Sequence, residues 1–207
     1  MRMKLSMLIT SVCATLLLAG CSSEPASAPK KTEEQPLPPV TGRQALQQMY
    51  VTARAWAPDL QIFKLNSILL PDVKTEPGKA AAWEATFVSA SLGKARSYTY
   101  SIVESAGNLH KGVFAGLDQS WSGSSGNSNP FIMASVKIDS DQAYEVAAKK
   151  GAEYDKKNPG KPITFILEAN KKFPDTSWRV VWGESVGTSN FSIFVDASTG
   201  LYLETMR

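Results

Sequence analysis

Few side chains in this 207-residue sequence have the type and spacing to do chemistry. His110 is the single histidine; with no HxxxH, CxxC or DxDxDG pattern around it there is no zinc or calcium site to build, and with no GxSxG elbow there is no serine for it to activate. It reads as a strand-surface residue. Asp139-Ser140-Asp141 sets two carboxylates close together, but a capping residue followed three positions on by Gln142 is a helix start, where the macrodipole favours acids. Glu184 and Asp196 are the pair that a carboxylate-dependent glycan hydrolase would draw from separate strands. The Ser/Gly-rich run from Gln119 to Pro130 lacks the lysine of a phosphate-cradling loop and reads as a connector. Trp121 is its unusual member, and Trp121, Asn127 and Asn129 are the candidate contacts for a ligand or partner. No catalytic residue, metal ligand or cofactor is assigned, and the chain is expected not to be an enzyme.

Cysteine tells more. Arg2 and Lys4 precede an apolar run from Met7 to Leu18, too short to span a hydrocarbon core of roughly 30 Å. Residues 1–20 therefore read as a secretory signal, with Cys13 inside it. The run ends in Leu18-Ala19-Gly20-Cys21, which resembles the lipobox of bacterial lipoproteins. That resemblance implies cleavage before Cys21, a thioether-linked diacylglycerol on its sulfur and an amide-linked chain on the new N-terminus, enough lipid for stable attachment. Cys21 would then be the sole cysteine of the processed chain, with no disulfide within one molecule. Ser22, in place of an Asp, resembles lipoproteins of diderm bacteria bound for the outer membrane. The expected location is the cell envelope, lipid-anchored at the outer membrane and facing the periplasm. Basic residues number 22 against 19 acidic ones; without Arg2 and Lys4 the balance is 20 against 19, near neutrality, which argues against a nucleic-acid partner.

The elements that follow are a tether and a repeat. Residues 21–40, rich in Ser, Pro, Glu and Lys, have almost nothing to bury and are expected to be disordered; about 19 extended residues reach at most about 60 Å. From Thr41 the composition turns globular. Thr41 to Trp56 aligns with Asp139 to Tyr154 at an offset of 98, each opening with a capping residue and a Gln at the third position. Ala45, Met49, Ala53 and Trp56 form one helical stripe; Ala143, Ala147, Gly151 and Tyr154 repeat it.

Strands repeat as well. Trp83, Ala85 and Phe87 alternate onto one face, as do Trp178, Val180 and Trp182 at an offset of 95. Val103 to Leu109 aligns with Val195 to Leu201 at an offset of 92, the second copy carrying Asp196-Ala197-Ser198-Thr199-Gly200, in which Asp196 accepts backbone hydrogen bonds and Gly200 takes positive φ. Glycine and asparagine at 107 and 108 supply the same freedom in the first copy. The aromatic residues Trp56, Trp83, Tyr98, Tyr100, Trp178, Trp182, Phe191 and Tyr202 are expected mostly in the core.

A helix followed by an antiparallel meander whose last hairpin reads VDASTG resembles the PepSY domain family, moderately over residues 139–206 and weakly over 41–116. The strand-like segments Leu60 to Leu70 and Ile163 to Ala169, between helix and tryptophan, bring each copy closer to a cystatin-like outline. The predicted fold class is α+β: two tandem units, 41–118 and 139–207, each an N-terminal helix on a curved antiparallel sheet of three or four strands, with 119–138 as linker and connecting strand. The resemblance implies non-catalytic binding of a protein or peptide. The expected partners are the membrane, through lipid on Cys21, and a periplasmic protein or peptide, with no metal and no nucleic acid. A structural scaffold of an envelope complex and a carboxylate-dependent glycan hydrolase are the alternatives.

Overall fold

Thr41 and Asp139 each end an extended segment and begin a helix. The structure, a computed structural model, describes residues 37–105, 109–123 and 128–207. Cys21, Asn127 and the glycine and asparagine at 107 and 108 lie outside the described residues. Helix α1 (Gly42–Ala53) opens on a capping box in which Thr41 and Gln44 satisfy each other's backbone N–H; α2 (Ser140–Lys157) opens on the same reciprocal pair, Asp139 and Gln142. The predicted stripes are the buried faces. Ala45, Met49 and Ala53 are fully buried, as are Ala143 and Ala147. Helix α1 stops three residues before Trp56, with the last turn loosened ahead of Pro58.

The fold is mixed α+β, two helices and one large antiparallel sheet. Its strands are β2 (Gln61–Ile68), β4 (Ala82–Ser89), β5 (Lys94–Ser101), β6 (Gly112–Ser120), β7 (Ser128–Asn129), β8 (Ile163–Asn170), β9 (Ser177–Trp182), β10 (Ser192–Asp196) and β11 (Tyr202–Met206), with β1 (Val40–Thr41) and β3 (Lys79–Ala80) making a separate two-stranded ladder. Across the sheet the order is β11-β10-β9-β8-β2-β4-β5-β6, with β7 added on β8. β2 and β8 therefore pair at the centre, through Leu65 opposite Leu167 and Asn66 opposite Ile166. The strands after each helix run outward from that pair in chain order. Residues 35–207 belong to a single compact unit.

Both helices contribute to one core. Trp83, Trp178, Trp182, Tyr98 and Phe87 are its largest buried side chains, each contributing about 2 to 3 kcal/mol by leaving water. Trp83 and Trp178 meet edge to face, and their indole N–H groups donate to the carbonyls of Val40 (3.1 Å) and Ile138 (2.8 Å), just ahead of the two helix caps. Of the expected core aromatics, Phe191 is also buried, Trp56 and Tyr100 are half-buried against the cluster, and Tyr202 is exposed.

Two stretches differ from the reading of the sequence. By cross-strand register Tyr100 stands opposite Trp83 as Val195 stands opposite Trp178, so the strand offset is 95, as for the tryptophans. Val103 lies three residues beyond that station, in the connection after β5, where residues 102–111 lead to β6 while only 197–201 lead from β10 to β11. The described part of the 119–138 connector is bound into the sheet: β6 extends to Ser120, Ser128 and Asn129 pair with Asn170 and Ala169, and Phe131 exchanges both backbone hydrogen bonds with Ile62.

Candidate functional site

The residues singled out by chemistry are placed in structural roles. Asp139 caps both helices: its carboxylate accepts from Ser140 N–H (2.7 Å), Arg43 N–H (2.9 Å) and Thr41 Oγ1 (2.7 Å). Asp196 sits in the predicted hairpin, where Oδ1 accepts from Ser198 N–H, Ser198 Oγ and Thr199 N–H at 2.7 to 2.8 Å and Gly200 adopts φ +77°. Partial burial opposes its ionisation, but those hydrogen bonds outweigh burial and lower its pKa. Glu184 follows β9 while Asp196 pairs with Ser177 at the other end of the same strand. The six residues of β9 alone set its two ends roughly 16 Å apart, beyond the spacing of a glycosidase acid and base. His110 is exposed, with Nδ1 2.6 Å from Glu104 and its ring 4.9 Å from that of Phe114.

Trp121 and Asn129 are not brought together. Trp121 is half-buried just past the end of β6, its backbone N–H donating to Gly93 O (2.9 Å) on the β4–β5 turn. Asn129 pairs with Ala169 at the centre of the sheet. Strands β5, β4 and β2 lie between them. Among the described residues no group of three or more His, Cys, Asp or Glu is placed to hold a metal ion, and no helix is long and apolar enough to cross a membrane.

Two features outside those expectations have binding geometry. One is a groove of about 660 Å³ where the described chain begins, lined by Leu37, Pro39, Leu70, Val73, Ile102 and Val103. Of its three carboxylates, Asp72, Glu76 and Glu104, the last two are engaged within the fold, Glu76 by Lys79 (2.8 Å) and Glu104 by His110 and Lys111 N–H. Those two bonds, led by the Lys111 amide, lower the Glu104 pKa.

The other is the outer edge of β6 and the sheet face beside it. The nine residues GVFAGLDQS contain neither lysine nor proline, the residues that usually blunt an edge. Leu117 is 88% exposed and Phe114 44%. Next to this edge, on the face away from the helices, a pocket of about 390 Å³ is lined by Glu84, Ser97, Thr99, Phe114 and Leu117. Thr99 Oγ1 is shut off from solvent with no hydrogen-bond partner among the described residues, an arrangement that costs about 1–3 kcal/mol. The opposite edge is better covered: β11 has five residues, with Lys150 over the Tyr202 ring and Lys172 paired to Glu204.

No family model matches the sequence, and no curated protein matches it. A crystal structure from Clostridium difficile 630, named there a "putative lipoprotein", is similar at a TM-score of 0.46 and 12% identity, over 78% of this chain and 91% of that one.

Proposed function

We propose that this protein is a lipid-anchored, non-catalytic component of the bacterial cell envelope that binds an extended segment of a protein or peptide partner. The observation that carries the reading is the edge of β6: nine residues, roughly 30 Å of backbone, with exposed apolar side chains and no strand beyond it among the described residues. A partner strand laid against it would take affinity from main-chain hydrogen bonds and selectivity from alternate side chains. The anchor rests on the Leu18-Ala19-Gly20-Cys21 motif after a signal-like run, and Ser22 favours the outer membrane, facing the periplasm. The body is read as two copies of one helix-and-meander unit, supported by the mirrored strand order, the paired capping boxes and the matching tryptophan hydrogen bonds.

The test is photo-crosslinking in intact cells with the anchor present. A benzoylphenylalanine at Ala115 or Gln119 of β6 is expected to give a discrete adduct, and one at the exposed Val51 of α1 is not. Equal labelling at all three positions, or none, would remove the support for strand addition.

A further inference from the structure

In the second half of the sheet the outer face is closed by the chain itself. At the end of β8 the Asn170 side chain accepts hydrogen bonds from the N–H groups of Lys172 (2.9 Å) and Phe173 (2.8 Å), and Asn170 N–H donates to Phe173 O (2.8 Å). This turn brings Phe173 onto Phe194, ring centroids 4.9 Å apart, with the Arg179 guanidinium 5.1 Å from the Phe194 ring and Lys172 paired to Glu204. Phe194 is left 2% exposed. A Lys-Phe dipeptide of the chain thus covers the row Arg179, Phe194, Glu204, which cross-strand register sets side by side on β9, β10 and β11.

The corresponding row in the first half is Glu84, Thr99, Phe114, on β4, β5 and β6. No described segment covers it. The chain between β2 and β4 goes elsewhere, residues 70–74 to the groove at Leu37 and Gly78 against Asp141 at the start of α2. Where the second half has Phe173 and Phe194, the first half has an open pocket lined by Thr99, whose unpartnered hydroxyl is buried beneath it, and walled by Phe114 and Leu117. Glu84 lines it with a carboxylate that no cation or hydrogen-bond donor engages among the described residues.

We propose that this pocket seats a large apolar side chain of a partner peptide over Thr99 and against Phe114, with an adjacent lysine or arginine of the same peptide paired to Glu84. The chain's own Lys172-Phe173 is the internal template for that occupant. Because the acid lies toward β4 here and on β11 in the second half, the peptide runs in the opposite sense to the internal one. The proposal rests on this half of the sheet facing a partner, and it adds the chemistry of the segment that partner supplies.

The test uses full-length protein purified in detergent and fluorescent decapeptides of Ser, Thr and Val carrying Lys-Phe, Glu-Phe or Lys-Ser at their centre. Lys-Phe is expected to bind at least tenfold tighter than either of the others. Glu84→Arg is expected to reverse the order of Lys-Phe and Glu-Phe. Thr99→Phe, which installs the second half's own residue, is expected to weaken Lys-Phe at least tenfold with an unchanged near-ultraviolet circular dichroism spectrum; Leu117→Ser, at an exposed position, serves in its place if that variant does not fold. Equal affinity for the three peptides, or an unchanged order in Glu84→Arg, would overturn the proposal. So would a dimer in sedimentation that Thr99→Phe dissociates while Lys-Phe fails to bind, which would make a second copy the occupant. Amide exchange separates this proposal from strand addition: Lys-Phe selectivity without protection of β6 amides supports the pocket alone, and protection by all peptides equally supports the edge alone and overturns the pocket.

Discussion

Trp83 and Trp178 meet edge to face with ring centroids 6.4 Å apart and an interplanar angle of 71°, directly beneath the first residue of α1. Each belongs to the strand next to one member of the central pair, and each ties its ring to the chain ahead of one helix. The contact joins the two halves through their largest side chains.

Gly42 is held to its size by that contact. A Cβ there would lie 2.5 Å from Trp178 Cη2 and 3.0 Å from Trp83, so neither ring has room to yield. Gly42→Ala is expected to destabilise by about 1–3 kcal/mol despite its better helix propensity. Gly187→Ala, whose Cβ would meet only Ser185 Oγ at an ordinary contact of 3.9 Å, is expected within about 0.5 kcal/mol of the parent. Urea denaturation of both variants reads the difference.

Asp139 serves two helix starts, so its loss should exceed that of a single cap. Asp139→Ala is expected to cost about 2–4 kcal/mol, since one cap contributes about 1–2 kcal/mol. Gln48→Ala, on the exposed face of α1, is the control expected to be near neutral. A loss no larger than that of the control would show the shared carboxylate to be dispensable.

Asp59 gives the fold an acid-side pH dependence. Ser89 Oγ (2.6 Å), Ser91 N–H (2.9 Å) and Ser91 Oγ (2.9 Å) all donate to its carboxylate and, led by Ser89, lower its pKa from the ordinary 3.8 to about 2. Its stabilising contribution is complete above pH 3.8 and is lost as pH falls through about 2. The stability difference between parent and Asp59→Asn is therefore expected to be constant from pH 7 to 5 and to shrink below that. A difference that grows on acidification would contradict the assignment.

Cys21 should be the only attachment to the membrane if the motif before it is processed as its resemblance implies. Cys21→Ala is expected to abolish palmitate incorporation and to move the protein from the detergent phase to the aqueous phase in a phase-separation assay. Retention in the detergent phase would point to another means of attachment.

Both helices were legible because their signals are local. The Thr41–Gln44 and Asp139–Gln142 boxes fixed where they begin, and the alanine-rich stripes fixed which face is buried. Strands β4 and β9 were legible through their tryptophans. The pairing of β2 with β8 was not, since a contact between residues so far apart in the chain leaves no periodicity in either segment. Register was also hidden: matching Val103 to Val195 satisfied the residue types, yet Tyr100 holds that station, and the added residues of the first half lie in the connection between β5 and β6. The pocket was illegible for a related reason. Glu84, Thr99 and Phe114 lie on three strands, and only cross-strand register makes them neighbours. The bulge that sets Gly116 and Leu117 opposite Ser97 broke the alternation that would have drawn attention to β6. Trp121 stood out by composition, but composition does not show that its backbone is fastened to Gly93.

The meeting of Leu65 with Leu167 also bears on how the chain folds. Each helix and its trailing strands fold by contacts between near neighbours in the chain, whereas the central seam closes a loop of roughly a hundred residues. Refolding is therefore expected to be limited by zipping that seam, and Leu167→Ala should lower the refolding arm of a chevron plot more than it raises the unfolding arm.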